Sequence, residues 1–136
     1  MLRPRDRFGR DEDSIDYHPA YREMERIAWS DFGLVAMSHR AGVFGWPEPV
    51  PPLVKYTFKY LFVQAEFGLC CPLSMTDSLT RTLRRFGAPE LQQRYLPMLT
   101  TQVFDELYQG AMFMTEQGAG SDVAATATRA APDGEA

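Results

Sequence analysis

The apolar pattern of this chain changes period at Gly110, and that change limits the folds open to it. Upstream, apolar residues recur at threes and fours, the spacing of one helix face. Tyr21, Met24, Ile27, Ala28, Phe32 and Val35 form one such stripe, Val54, Phe58, Leu61, Phe62 and Ala65 a second, and Leu79, Leu83 and Phe86 a third. Downstream, Ala111 to Thr115 reads as a strand, and Ala124 to Ala130 alternates Ala and Thr as another strand would. At 136 residues the chain is one domain's length, yet it turns from helices to a sheet just before it stops. Asp133-Gly134 is a hairpin signal with no returning strand behind it, and two strands alone do not make a stable sheet. The expectation is a mainly α fold: an N-terminal helical domain followed by the first strands of a β-domain, truncated. Its segments would be an irregular leader over 1–16, the helical domain over 17–109 and an incomplete β-domain over 110–136.

Punctuation residues set the helix limits. Pro19 suits the first turn of a helix that fades near Ser38. Gly42 to Pro52 is a loop stiffened by four prolines, too short and too aromatic for a domain linker. A second helix is expected from Leu53 to Leu69, buried on most sides because Tyr56, Tyr60 and Val63 fill its other positions. A third begins near Ser74 and stops at Gly87, and Pro89 opens a short one over Glu90 to Tyr95. A polar turn follows at Asp105-Glu106.

Composition narrows the function classes. Apolar residues are 45% and charged residues 24%, ordinary for a soluble globular chain. No apolar run is long enough to cross a bilayer. A net charge of −4 argues against nucleic acid as a partner of this stretch. The arginine-rich start, MLRPRDRFGR, lacks the apolar core of a secretory signal. Cys70 and Cys71 are neighbours, which disfavours a bridge between them, and no further Cys or His pair suggests zinc. Buried thiols in a reducing cytoplasm are the expectation. His18, before a proline at a helix entry, reads as a cap, and His39 sits where a helix C-terminus favours a cation. Neither is flanked by the serine or carboxylate of a triad.

The most informative run chemically is Met112 to Val123, MFMTEQGAGSDV. A strand entering a glycine loop turns backbone N–H groups toward whatever lies at its end. Gly118 and Gly120 remove Cβ atoms that would hold off a flat ring or a phosphate, and Thr115 and Ser121 add hydroxyls. Such a loop suits a polar, anionic cofactor. The same residues also fit an ordinary strand-to-turn exit, since the run is neither G-x-G-x-x-G nor a Walker loop.

Thr115 to Asp122, TEQGAGSD, resembles the T-E-x-x-A/G-G-S-D signature of the acyl-CoA dehydrogenase family. Arg85-Phe86-Gly87 through Gln93-Arg94-Tyr95-Leu96-Pro97 resembles that family's FG…Q(K/R)…YLP stretch. Tyr17-His18-Pro19-Ala20-Tyr21 and Cys71 to Thr76, CPLSMT, are similar to segments of its AidB-like branch. The similarity runs from about Phe8 to Ala131, departing at Gln117, where many members carry proline. It implies FAD as cofactor, an acyl-CoA substrate for the full-length form, and α,β-dehydrogenation of its thioester. Met112, Phe113, Met114, Thr115, Gly120 and Ser121 would contact the flavin, with Ser121 shared with the substrate. Asp122 would hold the loop.

No catalytic residue is carried over, because the family's base is a glutamate of a C-terminal helical bundle that this sequence lacks. Glu116 is left a backbone role. Glu66 reads as a surface carboxylate, and Arg81, Arg84 and Arg85 as a solvated helix face rather than a seat for CoA phosphates. Cys71 to Thr76 would border the acyl pocket, and the complete protein would be a homo-oligomer with FAD across a subunit interface. The readings set beside this one are an AidB-like protective or nucleic-acid-associated flavoprotein with little turnover, and a truncated, non-catalytic relic or helical interaction module.

Overall fold

The computed structural model describes residues 1–131. Its fold is mainly α, as the periodicity required. Among the described residues, four α-helices follow a small antiparallel hairpin of β1 (Leu2–Arg5) and β2 (Asp11–Ile15). The helices are α1 (Pro19–Arg26), α2 (Pro52–Ala65), α3 (Cys70–Phe86) and α4 (Pro89–Leu99). None is long and apolar enough to cross a membrane.

The hairpin occupies the stretch read as an irregular leader. Asp6 makes it: its carboxylate accepts the Phe8 and Arg10 N–H groups at 2.7 and 3.0 Å, and Gly9 takes a left-handed φ of 80°. Arg3 pairs with Asp16 at 2.7 Å across the register Leu2↔Ile15. These are polar, local signals, invisible to a search for apolar alternation.

The helices begin where proline allows. His18 caps α1 as expected, its Nδ1 accepting the Ala20 N–H at 3.1 Å. Four limits differ from expectation, the start of α3 among them. The first stripe does not continue as one helix: α1 widens into a π-turn over Ile27–Asp31 and breaks at Gly33, whose φ is 56°. α2 stops at Ala65 because Glu66 turns extended and accepts the Gly68 N–H at 2.8 Å. α4 runs on through Pro97, which sits in the last turn where only one ladder bond is lost.

The core is built around the break after α1. Trp29, Val35, Ala36, Met37 and Val43 are buried there with Phe62 of α2, Leu69 just before α3 and Leu73 of α3. The proline loop is drawn in by Val50 N–H donating to Met37 C=O at 2.7 Å, while Phe44 stacks on Phe58 at 5.2 Å. α2 is not buried on most sides: Leu53 and Tyr60 are 81% and 69% exposed, so only one face of the helix is covered. Nor are both cysteines buried; α3 begins a turn earlier than expected and presents Cys71 outward, with both thiols free.

The two strands expected beyond Gly110 do not form within the described residues: 111–131 is extended chain and turns with one 3-10 turn, Val123–Ala125. A strand exists only by pairing, and neither segment meets a partner. The Asp133-Gly134 hairpin signal lies outside the described residues.

Candidate functional site

The glycine run folds as a loop closed by its own glutamate. Glu116 N–H donates to Ala119 C=O at 2.8 Å, and Ala119 N–H returns to Glu116 C=O at 3.3 Å. The Glu116 carboxylate then reaches forward to accept the Ala127 and Thr128 N–H groups at 2.9 and 2.8 Å, and the Thr128 hydroxyl as well. These bonds hold the Glu116 carboxyl below its ordinary value, the Thr128 hydroxyl contributing most. A carboxylate engaged by three donors is a clasp and a poor base. Sequence reasoning gave Glu116 a backbone role; it did not foresee Ala127 and Thr128, which lie a further turn along the chain.

Between the two arms of this clasp runs a groove of about 440 Å³, with Phe113, Met114 and Thr115 on one side and Val123, Thr126 and Thr128 on the other. The six residues expected at the cofactor are therefore divided. Phe113, Met114 and Thr115 line the groove together. Met112 turns to a separate hollow against Met75, Ser78 and Leu79 of α3. Gly120 and Ser121 stand exposed at the loop's outer bend. Phe113 is 96% exposed, so its ring is presented rather than packed.

The loop offers hydroxyls at two separate places, Thr115 in the groove and Ser121 on the outer bend. A Cβ added at Gly118 or Gly120 would meet nothing within 4 Å, so the space beside both glycines is open. Among the described residues, no three His, Cys, Asp or Glu converge as metal ligands.

A second polar centre lies inside the helical domain and was not legible beforehand. Asp77 on α3 receives His39 Nε2 at 2.7 Å, Lys55 Nζ at 2.7 Å and Arg81 Nε at 3.4 Å. Burial alone would raise the Asp77 carboxyl; the His39 hydrogen bond, the close contact with Lys55 and the charges of Lys55 and Arg81 outweigh it and hold it well below the carboxylate range. Lys55 is 97% withdrawn from solvent, as its 3% exposure records, and that burial pulls its ammonium down despite Asp77. The Lys55 contact is an ion pair outside good hydrogen-bonding angles, which leaves its N–H groups without a directed acceptor.

The arginines of α3 part company at this centre. Arg81 faces Asp77, Arg84 donates to His39 C=O at 2.6 Å, and Arg85 lies over the Phe86 ring. The one sequence signal for the centre was a lysine inside the apolar stripe of α2, together with Asp77 four residues before Arg81.

Residues 1–106 match the family model described as the adaptive response protein AidB N-terminal domain. The chain is 27% identical to the Escherichia coli (strain K12) protein described as "Putative acyl-CoA dehydrogenase AidB", over 92% of this chain and 24% of that protein. The apo-form structure of Bd2924 superposes with a TM-score of 0.77 and 28% identity, over 92% of this chain and 24% of that one. The chain thus spans about a quarter of the length of these relatives.

Proposed function

The chain belongs to the family of adaptive response protein AidB N-terminal domains, and from that premise we propose that it is the front portion of an FAD-dependent acyl-CoA dehydrogenase-like protein. The observation that carries the reading is the loop from Met112 to Ser121, exposed except at Glu116 and Ala119 and clasped by Glu116 beside an open groove at the exit of the helical domain. The chemistry supplied by bound FAD is acceptance of a hydride from the acyl β-carbon. The part of this chain would be to hold and polarise. Met114 and Thr115 would address the flavin's pyrimidine side, where negative charge grows on reduction and pre-placed donors stabilise it. Ser121 would serve flavin and substrate together. Glu116 would not take the α-proton, since its oxygens are committed to Ala127 and Thr128.

The adaptive response in the family's description supports a second reading, an AidB-like protective or nucleic-acid-associated flavoprotein with little turnover; the two differ in whether acyl-CoA reduces the flavin. The two unpaired thiols suit a reducing cytoplasm, and a homo-oligomer is the assembly we expect of the complete form.

The test is to purify both this chain and the longest product of the gene that contains it, and to record flavin absorbance with and without acyl-CoA. The short chain should be colourless and inactive, and the long product yellow, losing flavin in T115A and S121A. A folded long product without flavin overturns the cofactor role. A yellow, turning-over short chain overturns its expected inactivity.

A further inference from the structure

The chain leaves the helical domain through three consecutive residues, each fastened to a different helix. Tyr108 N–H donates to Met98 C=O of α4 at 3.1 Å. The Gln109 side-chain amide donates to Glu25 of α1 at 2.7 Å, and Glu25, 3% exposed, is itself held by Arg22 at 2.7 Å. Gly110 N–H donates to the Thr76 hydroxyl of α3 at 3.0 Å. Immediately after this point the backbone emerges, and 111–115 is exposed throughout.

Thr76 lies on α3 one turn before a second buried threonine, Thr80. The Thr76 side chain is fully buried, and its hydroxyl spends its one proton on Pro72 C=O at 2.8 Å, so that its lone pair is the acceptor turned outward. Gly110 is buried against it so closely that a Cβ there would come within 3.1 Å of the Met75 carbonyl and 2.9 Å of Leu79. The backbone must approach α3 at this place, and a hydroxyl acceptor waits where its N–H arrives.

We propose that Thr76 is a positioning residue: with Gly110 it fixes the point and direction at which the loop of residues 112–121 leaves the helical domain. This rests on the cofactor reading for its purpose but not for its geometry. Phe113, Met114 and Thr115 follow Gly110 by only three to five residues. A shift at Gly110 is therefore passed to them with little chain in which to absorb it. The two anchors differ in kind, since Gln109–Glu25 is half-exposed whereas Thr76–Gly110 is dry. The dry bond carries the larger penalty when one partner is removed, because the other is left buried and unpaired.

The experiment compares T76V, T76S and wild type by amide exchange on the whole chain. Valine keeps the volume of threonine and removes the acceptor; serine keeps the acceptor. In T76V the amides of Gly110 and its immediate successors should exchange about tenfold faster, while those of α1 and α2 are unchanged, and T76S should restore the wild-type rates. Unchanged exchange at Gly110 in T76V, or a uniform rise through all helices, overturns the assignment. G110A, measured alongside, should disturb the same amides by steric displacement, and an undisturbed pattern counts equally against it. In the longest product of the gene, T76V should weaken flavin binding and T76S recover it. If that wild-type product holds no flavin, the cofactor reading falls, and the exchange data still decide the clamp.

Discussion

Asp77 and His39, 38 positions apart in sequence, meet at 2.7 Å and join α3 to the turn that ends the first helical stretch. Lys55 comes to the same carboxylate from α2, so one acidic group ties three parts of the helical domain. The arrangement is costly to assemble and more costly to break by halves, since a charge left alone in the interior has neither water nor a partner.

Replacing Asp77 with alanine should therefore destabilise the domain by about 3 kcal/mol or more, through the stranded Lys55 ammonium. K55M, which removes the buried charge and keeps its stem, should cost clearly less. Urea unfolding of both variants measures the difference, and a D77A chain as stable as K55M would contradict it.

Acid should act through the same residue. The folded Asp77 carboxyl lies below its ordinary 3.8, so its contribution is complete above that value and is lost as pH falls beneath it. Wild-type stability should drop below about pH 4 more steeply than that of D77N, which has no such proton to take up. Parallel pH profiles for the two would remove Asp77 as the cause.

Glu116 offers a contrast, because its partners are local and its surroundings are wet. E116A should leave the denaturation midpoint of the helices unchanged while the Ala127 and Thr128 amides lose their acceptor. Hydrogen exchange at those two amides should quicken in the variant. It should also quicken in wild type as pH falls below the ordinary 4.5 of the carboxyl, after correction for the intrinsic pH dependence of exchange. Exchange there that ignores the substitution would show that the loop is closed by something else.

Gly33 marks the break after α1. Alanine at its φ of 56° would be strained, and its Cβ would lie 2.8 Å from Gln102 Nε2, the group that bonds Ser30 C=O. G33A should cost about 2 kcal/mol, read as a lowered thermal midpoint. A midpoint equal to wild type would mean that the turn can be rebuilt without a left-handed residue.

The sequence by itself determined what depends on near neighbours. Helical periodicity, Pro19 and Pro89 at helix starts, His18 as a cap and the folding of TEQGAGSD into a loop are all local, because each turns on contacts within a few residues. The hairpin of 1–16 was local too, but written in Asp6 and Gly9 rather than in apolar alternation. Tertiary structure alone decided the rest. Asp77 gathered His39 and Lys55, Thr76 met Gly110, and Glu25 met Gln109, each across tens of residues that no spacing rule connects. It also withheld the strands expected at 111–115 and 124–130, since alternation makes a segment ready to pair and only a neighbouring backbone completes it. A helix satisfies its own hydrogen bonds and can be read from one segment; a buried charge or a strand is satisfied elsewhere in the chain, and that elsewhere exists only once the fold is made.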